Sequence, residues 1–321
     1  MRPVPTPGLP ILVLLGLVLA CGTESNETPL SPSFHSFASS EWSEPVNVGA
    51  PVNSPATEQA GTLSRDGLSL YFTSNRQPGG FGGNDIWVSQ RACADCPWQT
   101  PVNLGPVINS DAGEGGPNLS NDGHLLFFNS SRTGGAGSND IYLARRVDPQ
   151  DDFGWGPPEL LGSDVNTDAF EGGAHYLQSA EDGPANLYFS RGPSGNLQDI
   201  YYAPVTRNGE TLGPAVLVQE LSDPATLEAI PTVRADGREI FFWSGRPGGP
   251  GGGDLWTSTR RSVHDAWTPP ENLGTAVNSS RLDFQPSLSF GARTLVFASN
   301  RPGSVSGSLD IWMTTRTPSG R

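Results

Sequence analysis

The sequence contains no lysine: all 19 basic residues are arginine, and they are outnumbered by 33 acidic residues in a chain of net charge −14. Proteins that bind nucleic acid or anionic lipid headgroups present clusters of basic side chains. This acidic chain has no such cluster, so we expect neither nucleic-acid binding nor membrane binding through surface charge. Its glycine-rich segments, such as residues 134–137 and 248–251, are not phosphate-binding loops, because a P-loop needs a lysine and a following helix.

The sequence also lacks an apolar run long enough to cross a bilayer, which takes about 20 residues. The apolar run at residues 9–20 follows Arg2 and ends in Val18-Leu19-Ala20, directly before Cys21. A basic start, a short apolar stretch and a small residue before the cleavage point are typical of a secretory signal peptide. The segment resembles the lipobox of bacterial lipoproteins, which implies that residues 1–20 are removed and that Cys21 is lipid-modified. An ordinary secreted cysteine and an uncleaved anchor are the alternatives.

Residues 21–40 are rich in Ser, Thr, Pro and Glu, and we interpret them as a flexible tether that starts at the lipidated cysteine. A folded domain is expected at residues 41–316, followed by a tail at 317–321. Gly22 is not Asp, so the inner-membrane retention rule of enteric bacteria does not apply. We therefore predict an outer-membrane lipoprotein of the cell envelope, facing the periplasm or the cell surface, that contacts the membrane only through its lipid anchor.

Two further cysteines, Cys93 and Cys96, are separated by two residues. Because an exported protein folds in an oxidising compartment, we predict a disulfide between them. A metal site and a redox-active pair are the alternatives. A redox pair normally begins a helix that lowers the pKa of one thiol, whereas these cysteines lie between two strand-like runs. The context therefore favours a structural disulfide.

The chain repeats one unit five times. The repeated phrase is an aspartate followed by an aliphatic and an aromatic residue, and its aspartates are Asp85, Asp140, Asp199, Asp254 and Asp310. These aspartates are 55, 59, 55 and 56 residues apart. Each unit has short runs of alternating apolar residues, a hairpin turn such as Asp66-Gly67, and no helical periodicity. Four strands per repeat is the pattern of a propeller blade, so we predict an all-β, five-bladed β-propeller with four antiparallel strands per blade.

A phrase of the form Trp-x-x-Pro-x-x-x-Gly marks the outer strand of a blade and occurs at residues 42–49, 98–105, 155–162 and 267–274. One copy precedes the first unit and none follows the last. We therefore predict that the N-terminal strand 42–49 closes the ring by completing a last blade built from residues 283–316. In unit four, residues 212–214 replace the phrase, so the sequence leaves that outer strand undefined.

The pattern Pro-x-Leu-Ser-x-Asp-Gly at residues 117–123 is followed by Leu-x-Phe-x-Ser-x-Arg at residues 126–132. Together with the Asp-Ile-Trp phrase, it resembles the WD-repeat-like β-propeller units of TolB-type periplasmic proteins. The resemblance covers residues 42–316 and implies a propeller that is used for binding in the bacterial envelope. It does not extend to TolB as a whole, because the chain has no room for the additional N-terminal domain of that protein.

Three charged positions recur in every unit: an acid that opens the first strand, an arginine that ends the second, and the aspartate that opens the third. The acids are Glu58, Glu114, Glu171, Glu228 and Asp283, and the arginines are Arg76, Arg132, Arg191, Arg246 and Arg301. Antiparallel order places all three positions on one rim, with the arginine between two carboxylates that its planar guanidinium can bridge. Because a catalytic set has no reason to recur five times, we interpret the triad as a structural ladder.

The five acids also allow a functional interpretation. They begin the innermost strands, so they can ring the central channel and hold a cation, and oxygen ligands favour Ca²⁺; no other cofactor is expected. The loops that enter these strands share the rim with the glycine-rich loops and form the expected binding face. These entering loops contain residues 53–54, 109–110, 166–167, 222–223 and 278–279. Alternatively, their polar residues only satisfy turn geometry.

We therefore predict a non-catalytic binding or scaffolding propeller, monomeric, whose partner is an envelope protein or polysaccharide. Glycoside hydrolysis is the alternative, because it needs two carboxylates in the channel, and Asp164 and Asp168 break the repetition of the acids. His175 is the histidine whose position allows it to reach the channel, where a structural role is expected. Trp243 replaces the smaller residues of other units and is either a ligand platform or a filler between blades.

Overall fold

The computed structural model describes residues 41–178, 184–193 and 197–317, in addition to Met1. The predictions for the signal peptide, Cys21, the tether and residues 318–321 lie outside these residues. Twenty β-strands form five four-stranded sheets, which confirms the all-β, five-bladed propeller. The described residues contain one helical element, a 3₁₀ turn at Val305–Gly307. Among them, no helix has the length and apolar character needed to cross a membrane.

Each blade runs from an innermost strand beside the central channel to a short outer strand at the periphery. The first blade consists of β2 (Glu58–Leu63), β3 (Ser69–Ser74), β4 (Asp85–Gln90) and β5 (Val102–Asn103). The second consists of β6 (Glu114–Leu119), β7 (Leu125–Ser130), β8 (Asp140–Arg145) and β9 (Glu159–Leu160). The third consists of β10 (Phe170–Leu177), β11 (Ala185–Gly192), β12 (Asp199–Val205) and β13 (Val216–Leu217).

The fourth blade has the same arrangement, whereas the fifth takes its outer strand from the beginning of the domain. The fourth consists of β14 (Glu228–Val233), β15 (Glu239–Ser244), β16 (Asp254–Thr259) and β17 (Glu271–Asn272). The fifth consists of β18 (Asp283–Leu288), β19 (Thr294–Ser299), β20 (Asp310–Thr315) and β1 (Val46–Asn47).

The second strands of the blades are buried on both faces, because each blade is covered by its two neighbours. All six residues of β3 are buried, and Phe72 is fully inaccessible. The apolar side chains form five clusters, each between two adjacent blades. An isolated blade would expose both faces to water, so the blades are stable only as a stacked ring. The outer strands have two residues each, which leaves little open edge for pairing with another chain.

Tight turns join the first and second strands of a blade, as the sequence predicts. In the first blade, Ser64 Oγ donates to Asp66 Oδ1 at 2.6 Å, and Leu68 N donates to the same oxygen at 3.0 Å. Gly67 adopts a φ of 72°, which costs glycine little and other residues more. In the fifth blade Ala292 lies at the position of Gly67 and adopts a φ of 55°, which is strained for a residue with a Cβ. The turn of the third blade lies outside the described residues.

The N-terminal strand closes the ring, which confirms the prediction. β1 pairs antiparallel with β20, and Asn47 lies opposite Trp312. Trp42 forms a further bridge with Arg316, whose guanidinium carbon lies 4.5 Å from the centroid of the Trp42 ring. The equivalent contacts within the other blades are Arg91–Trp98, Arg146–Trp155 and Arg260–Trp267. The closing strand thus makes the same contacts as an ordinary outer strand, although it comes from the other end of the domain.

β13 supplies an outer strand where the sequence left one undefined. It pairs antiparallel with β12, and Tyr202 lies opposite Val216. This blade has no tryptophan at its periphery. Gly209 lies there instead, where an added Cβ would come within 2.6 Å of Leu143 Cδ2. Close approach of the backbone therefore replaces the arginine–tryptophan contact between the second and third blades.

Deleting residues 41–49 is expected to abolish the cooperative thermal transition, because it leaves β20 as an open edge and uncovers the apolar surface beneath Trp42. Circular dichroism melting of the full protein and the deletion variant checks this. Deleting residues 22–40, the predicted tether, is the control and should leave the melting temperature unchanged. A 41–49 deletion variant with a wild-type transition would contradict closure by this strand.

Candidate functional site

The recurrent acids are buried at the upper rim, the end of the propeller at which the first strands begin. The side chain of Glu58 has 0% exposure, and its carboxylate accepts hydrogen bonds from Ser54 N, Ser54 Oγ and Ser74 Oγ at 2.7–2.9 Å. Arg76 completes the site with an ion pair at 2.9 Å. A buried carboxylate is costly unless it is paired and hydrogen-bonded. The pair therefore joins the entering loop, the first strand and the second strand of the blade.

The same ion pair recurs in every blade. The distances are 3.1 Å for Arg132–Glu114, 3.0 Å for Arg191–Glu171 and 3.0 Å for Arg246–Glu228, and Arg301 is likewise paired with Asp283. Each arginine also donates to a backbone carbonyl of the entering loop, as Arg132 Nη2 does to Ile108 O at 2.5 Å. Arg191 lies opposite Asp199 at the position where other blades have a serine, yet it reaches the same acid. The side chain compensates for the shift of two residues.

The aspartates of the third strands are not part of this ladder, so the prediction of an arginine bridging two carboxylates is wrong. Among the described residues, no ion pair joins the ladder arginines to Asp85, Asp140, Asp199, Asp254 or Asp310. Asp85 Oδ2 instead accepts from Phe81 N of the glycine-rich loop at 2.8 Å. An added Cβ on Gly135 would lie 2.0 Å from Asp140 Oδ2, so glycine lets the loop wrap around the carboxylate. Backbone amides thus replace arginine as the partners.

Burial raises the pKa of four of these carboxyl groups, those of Asp85, Asp199, Asp254 and Asp310. In the fifth blade, Asn47 Nδ2 of the closing strand donates to Asp310 Oδ2 at 2.7 Å. Asp85 and Asp254 thus hold the glycine-rich loops, and Asp310 also holds the closing strand. None of the four aspartates lines the central cavity.

The first-strand acids do not form a ring that is open to the channel. They therefore do not provide the cation site that the functional interpretation places there. Of the five, only Glu114 borders the central cavity, and its side chain has 0% exposure. The described part of the chain contains no group of three or more His, Cys, Asp or Glu side chains positioned to hold a metal. A calcium ion at this ring would have to displace five arginines. The alternation of side chains along a strand shows which residues share a face, but it does not show which face is buried. The sequence therefore did not reveal that these acids are closed off from the channel.

The asparagines of the entering loops are structural and do not form an exposed binding face. Asn109 is buried, its Oδ1 accepts from Ile86 N at 2.8 Å, and its Nδ2 donates to Ile86 O at 3.0 Å. The equivalent pairs are Asn53 with Ile311, Asn166 with Ile141 and Asn278 with Leu255. Each asparagine side chain thus connects the third strand of one blade, through its backbone, to the loop that leads into the next blade.

A cavity of about 390 Å³ lies at the centre of the upper rim, within the usual range for small-ligand sites. Most of its polar side chains are amides, namely Gln59, Asn84, Asn129, Asn139, Gln198 and Gln285. Its aromatic rings are those of Phe170, Trp243 and Phe284. Amides both donate and accept hydrogen bonds, and aromatic rings offer apolar faces. This central cavity therefore suits a neutral ligand that carries hydroxyl or amide groups.

The floor of the central cavity is a β-bulge that recurs in all five innermost strands. The bulged residues have positive φ values: Ala60 50°, Gly116 60°, Gly173 61°, Ile230 57° and Gln285 53°. This conformation is strained for the β-branched Ile230, whose N–H is held by Ser190 Oγ of the third blade at 2.7 Å. Beneath the bulges, two small cavities of about 30 and 40 Å³ lie among the innermost strands. Neither has room for a ligand of the size that the central cavity can hold.

Trp243 forms part of the wall of the central cavity and packs between the fourth and fifth blades. Its ring packs edge-on against Phe284, with centroids 4.8 Å apart. An added Cβ on Gly253 would lie 2.5 Å from Trp243 Nε1. The other blades have Asn84, Asn139, Gln198 and Leu309 at the position of Gly253. The fourth blade thus replaces an amide with glycine and gains a tryptophan at the rim.

His175 lies in the lower channel and connects three blades. Its Nε2 lies 2.9 Å from Val233 O, and because a carbonyl only accepts, this nitrogen carries the proton. Its Nδ1 accepts from Asn118 Nδ2 at 3.2 Å. Burial lowers the pKa of His175 to about 4. The ring is therefore a neutral link between blades and is not placed to activate a nucleophile.

The residues that break the symmetry of the repeats lie outside the central cavity. Asp168 is exposed in the loop before β10, and the backbone oxygen of Asp164 accepts from Ala215 N at 3.0 Å. Neither residue lines the cavity. Cys93 and Cys96 form a disulfide in the loop between β4 and β5. None of these residues adds an exposed carboxylate to the site.

Comparison of the sequence with protein-family models and with curated proteins finds no match. Solved structures are similar in fold. An α-L-arabinofuranosidase from Lactobacillus brevis has a TM-score of 0.54 and 12% identity, over 83% of this chain and 92% of that chain. An endo-arabinase from Bacteroides thetaiotaomicron has a TM-score of 0.52 and 15% identity, over 87% of this chain and 98% of that chain.

TolB propellers are also among the similar structures. TolB from Acinetobacter baumannii has a TM-score of 0.47 and 16% identity, over 88% of this chain and 64% of that chain. At such identities the similarity shows a shared propeller fold and nothing about activity. A fold does not determine a function, so the function has to be argued from the residues of the cavity.

Replacing Arg132 with alanine should lower the free energy of unfolding by about 3–5 kcal/mol, because Glu114 then remains buried without its counter-charge. The matched control is Arg145→Ala. Arg145 pairs with Glu159 at 2.6 Å, but these side chains are 35% and 69% exposed, so the loss should stay below about 1 kcal/mol. Urea unfolding followed by circular dichroism measures both values. Equal losses in the two variants would contradict a buried ladder.

The contribution of His175 to the stability of the protein should fall as the pH falls from about 6.5 to about 4. In this window an unfolded histidine, with a pKa near 6.5, takes up a proton, whereas folded His175, with a pKa of about 4, does not. Replacing His175 with Asn should remove up to about 1.4 kcal/mol of pH dependence per pH unit. Urea titrations at several pH values test this, with exposed His264→Asn as the control. An unchanged pH dependence in the His175 variant would argue against a buried neutral ring.

Proposed function

We propose that the propeller is a non-catalytic binding module that holds a neutral saccharide segment of an envelope polysaccharide in the central cavity. The observation that carries the proposal is the composition of the cavity wall: six amide side chains, three aromatic rings and no exposed carboxylate among the described residues. Sugar hydroxyls both donate and accept hydrogen bonds, as amides do, and the C–H faces of a sugar ring pack on aromatic rings. Because the ligand is neutral, the cavity needs no charged side chain to bind it.

The hydrolase alternative lacks support in the same cavity. Glycoside hydrolysis uses two carboxyl groups separated by about 5–10 Å, one on each side of the scissile bond. Glu114 is the one carboxylate on the described wall, and Arg132 holds it at 3.1 Å with no exposed surface. The fold is shared with arabinofuranosidases and with TolB, so fold similarity favours neither activity. A buried, paired acid favours binding over catalysis.

The proposed cellular setting rests on the sequence. A lipid on Cys21 would attach the propeller to the outer membrane, and residues 22–40 would let it move relative to the membrane while bound to a polymer. Because the chain is acidic, its surface does not favour phosphorylated polymers, and a neutral polysaccharide remains the expected ligand. An envelope protein that inserts a neutral polar loop into the cavity is the other ligand of this chemistry.

Replacing Trp243 with alanine should weaken binding of a neutral polysaccharide about tenfold, because it removes one aromatic wall of the cavity. The matched control is Phe81→Ala. Phe81 is 50% exposed in a glycine-rich loop and does not line the cavity. Affinity electrophoresis in gels containing neutral polysaccharides compares wild type and both variants. Retardation of wild type that Phe81→Ala keeps and Trp243→Ala loses supports the proposal, whereas equal retardation of all three contradicts it.

The same polysaccharides should release no new reducing ends on incubation with the protein. A reducing-sugar assay distinguishes binding from hydrolysis. Release of reducing ends by wild type that a Glu114→Gln variant abolishes would replace the binding proposal with a catalytic one.

A further inference from the structure

The interface between the first and second blades contains a carboxylate that four side chains hold in place. Asp152 accepts from Ser69 Oγ at 2.5 Å, from Tyr71 Oη at 2.6 Å and from Gln90 Nε2 at 2.8 Å. Arg146 adds an ion pair at 3.1 Å. Asp152 is 4% exposed, so these groups form a complete buried site for one carboxylate.

The interface between the third and fourth blades repeats the tyrosine and the arginine of this site, whereas Pro204 lies at the position of Gln90 and cannot donate. Tyr188 occupies the position of Tyr71, because each lies opposite the residue three places after the repeated aspartate. Asn186 correspondingly takes the position of Ser69. Arg260 packs on Trp267 at 4.2 Å, as Arg146 packs on Trp155 at 4.3 Å. Arg260 Nη2 also lies 3.4 Å from Tyr188 Oη, as Arg146 Nη1 lies 3.0 Å from Tyr71 Oη.

The carboxylate is missing from this second interface. Asp152 belongs to the loop at residues 147–154, whereas the equivalent loop at residues 261–266 is two residues shorter. Among the described residues, Arg260 forms no ion pair, and it donates only to Gly237 O and to Tyr188. At the interface between the fourth and fifth blades the chain again supplies an acid. There Glu239, at the position of Asn186, pairs with Arg316 at 2.7 Å.

A cavity of about 710 Å³ occupies the space next to Arg260 and Tyr188. Tyr202 and Trp267 add aromatic surface to its wall. Two acids also line it, the exposed Glu220 and Asp265, and Asp265 is paired with Arg261 at 3.3 Å. Acids near the entrance repel a polyanion more strongly than a monoanion. A ligand with one carboxylate on an aromatic or aliphatic body matches this arrangement.

We infer that the cavity between the third and fourth blades is a binding site for a small monocarboxylate. The carboxylate takes the place that Asp152 fills in the first interface, with Arg260, Tyr188 and Asn186 as its donors, and the body of the ligand packs on Tyr202 and Trp267. A charge-assisted pair with arginine and a tyrosine hydroxyl is the usual means of fixing a carboxylate in a partly apolar site. This site is separate from the central cavity and does not depend on the function proposed for it.

Phenylacetate is a suitable probe, and phenylacetamide is its neutral counterpart. Isothermal titration calorimetry of the full protein should show millimolar or tighter binding of phenylacetate, and binding at least about tenfold weaker for phenylacetamide and for phenylacetate with the Arg260→Gln variant. Arg145→Gln, which removes a half-buried arginine of the second blade that does not line this cavity, is the matched control and should bind as wild type does. Absence of binding to wild type, or equal binding of the amide and the acid, would overturn the inference.

A second variant tests the site without a ligand. Asn186→Glu places an acid where Glu239 lies in the neighbouring interface, so it should pair with Arg260, raise the melting temperature by roughly 2–5 °C and abolish phenylacetate binding. A lower melting temperature with unchanged phenylacetate binding would contradict the proposed geometry. The Glu181→Gln/Asp182→Asn variant addresses residues outside the described part of the chain. If it lowers the melting temperature as much as Arg260→Gln does, the chain itself supplies the carboxylate and the inference fails.

Discussion

A buried carboxylate that must be paired is the constraint on which the rest of this propeller depends. Five acids begin the innermost strands with no exposed side-chain surface, and each is held by an arginine of the same blade. The pair fixes the entering loop against two strands, and the asparagine of that loop holds the preceding blade. Charge pairing within blades and amide pairing between blades thus determine the shape of the upper rim.

The pairing also determines what the rim can bind. Because the acids and arginines neutralise each other inside the blades, the side chains left at the central cavity are amides and aromatic rings. Glycoside hydrolysis needs two carboxyl groups, one on each side of the scissile bond. In this propeller the carboxylates of the rim are buried and paired with arginine, and they stabilise the fold. The interface between the third and fourth blades shows the reverse case, in which Arg260 and Tyr188 remain without the acid that Asp152 supplies elsewhere.

The sequence predicted the number of blades, the order of the strands and closure by residues 42–49. Both the repeated phrase and the outer-strand motif that precedes the first unit can be recognised in the sequence. It did not show that the first-strand acids are closed off from the channel, or that the third-strand aspartates lie apart from the arginines, and the reasons are physical. Bulges at residues such as Ala60 and Ile230 interrupt the alternation of inward and outward side chains along the innermost strands. No residue pattern in the sequence predicts the positive φ at these positions. The partners of Asp85 are backbone amides, which every sequence possesses. The carboxylate missing beside Arg260 became visible only when the interfaces could be compared.

A double-mutant cycle between Glu114 and Arg132 tests the central claim most directly. Urea unfolding of wild type, Glu114→Gln, Arg132→Met and the double variant gives the coupling free energy of the two side chains. If both charges are buried and depend on each other, the coupling should be about 2 kcal/mol or more. A coupling within about 0.5 kcal/mol of zero would mean that Glu114 is free of Arg132 and open to the channel, and would contradict this account.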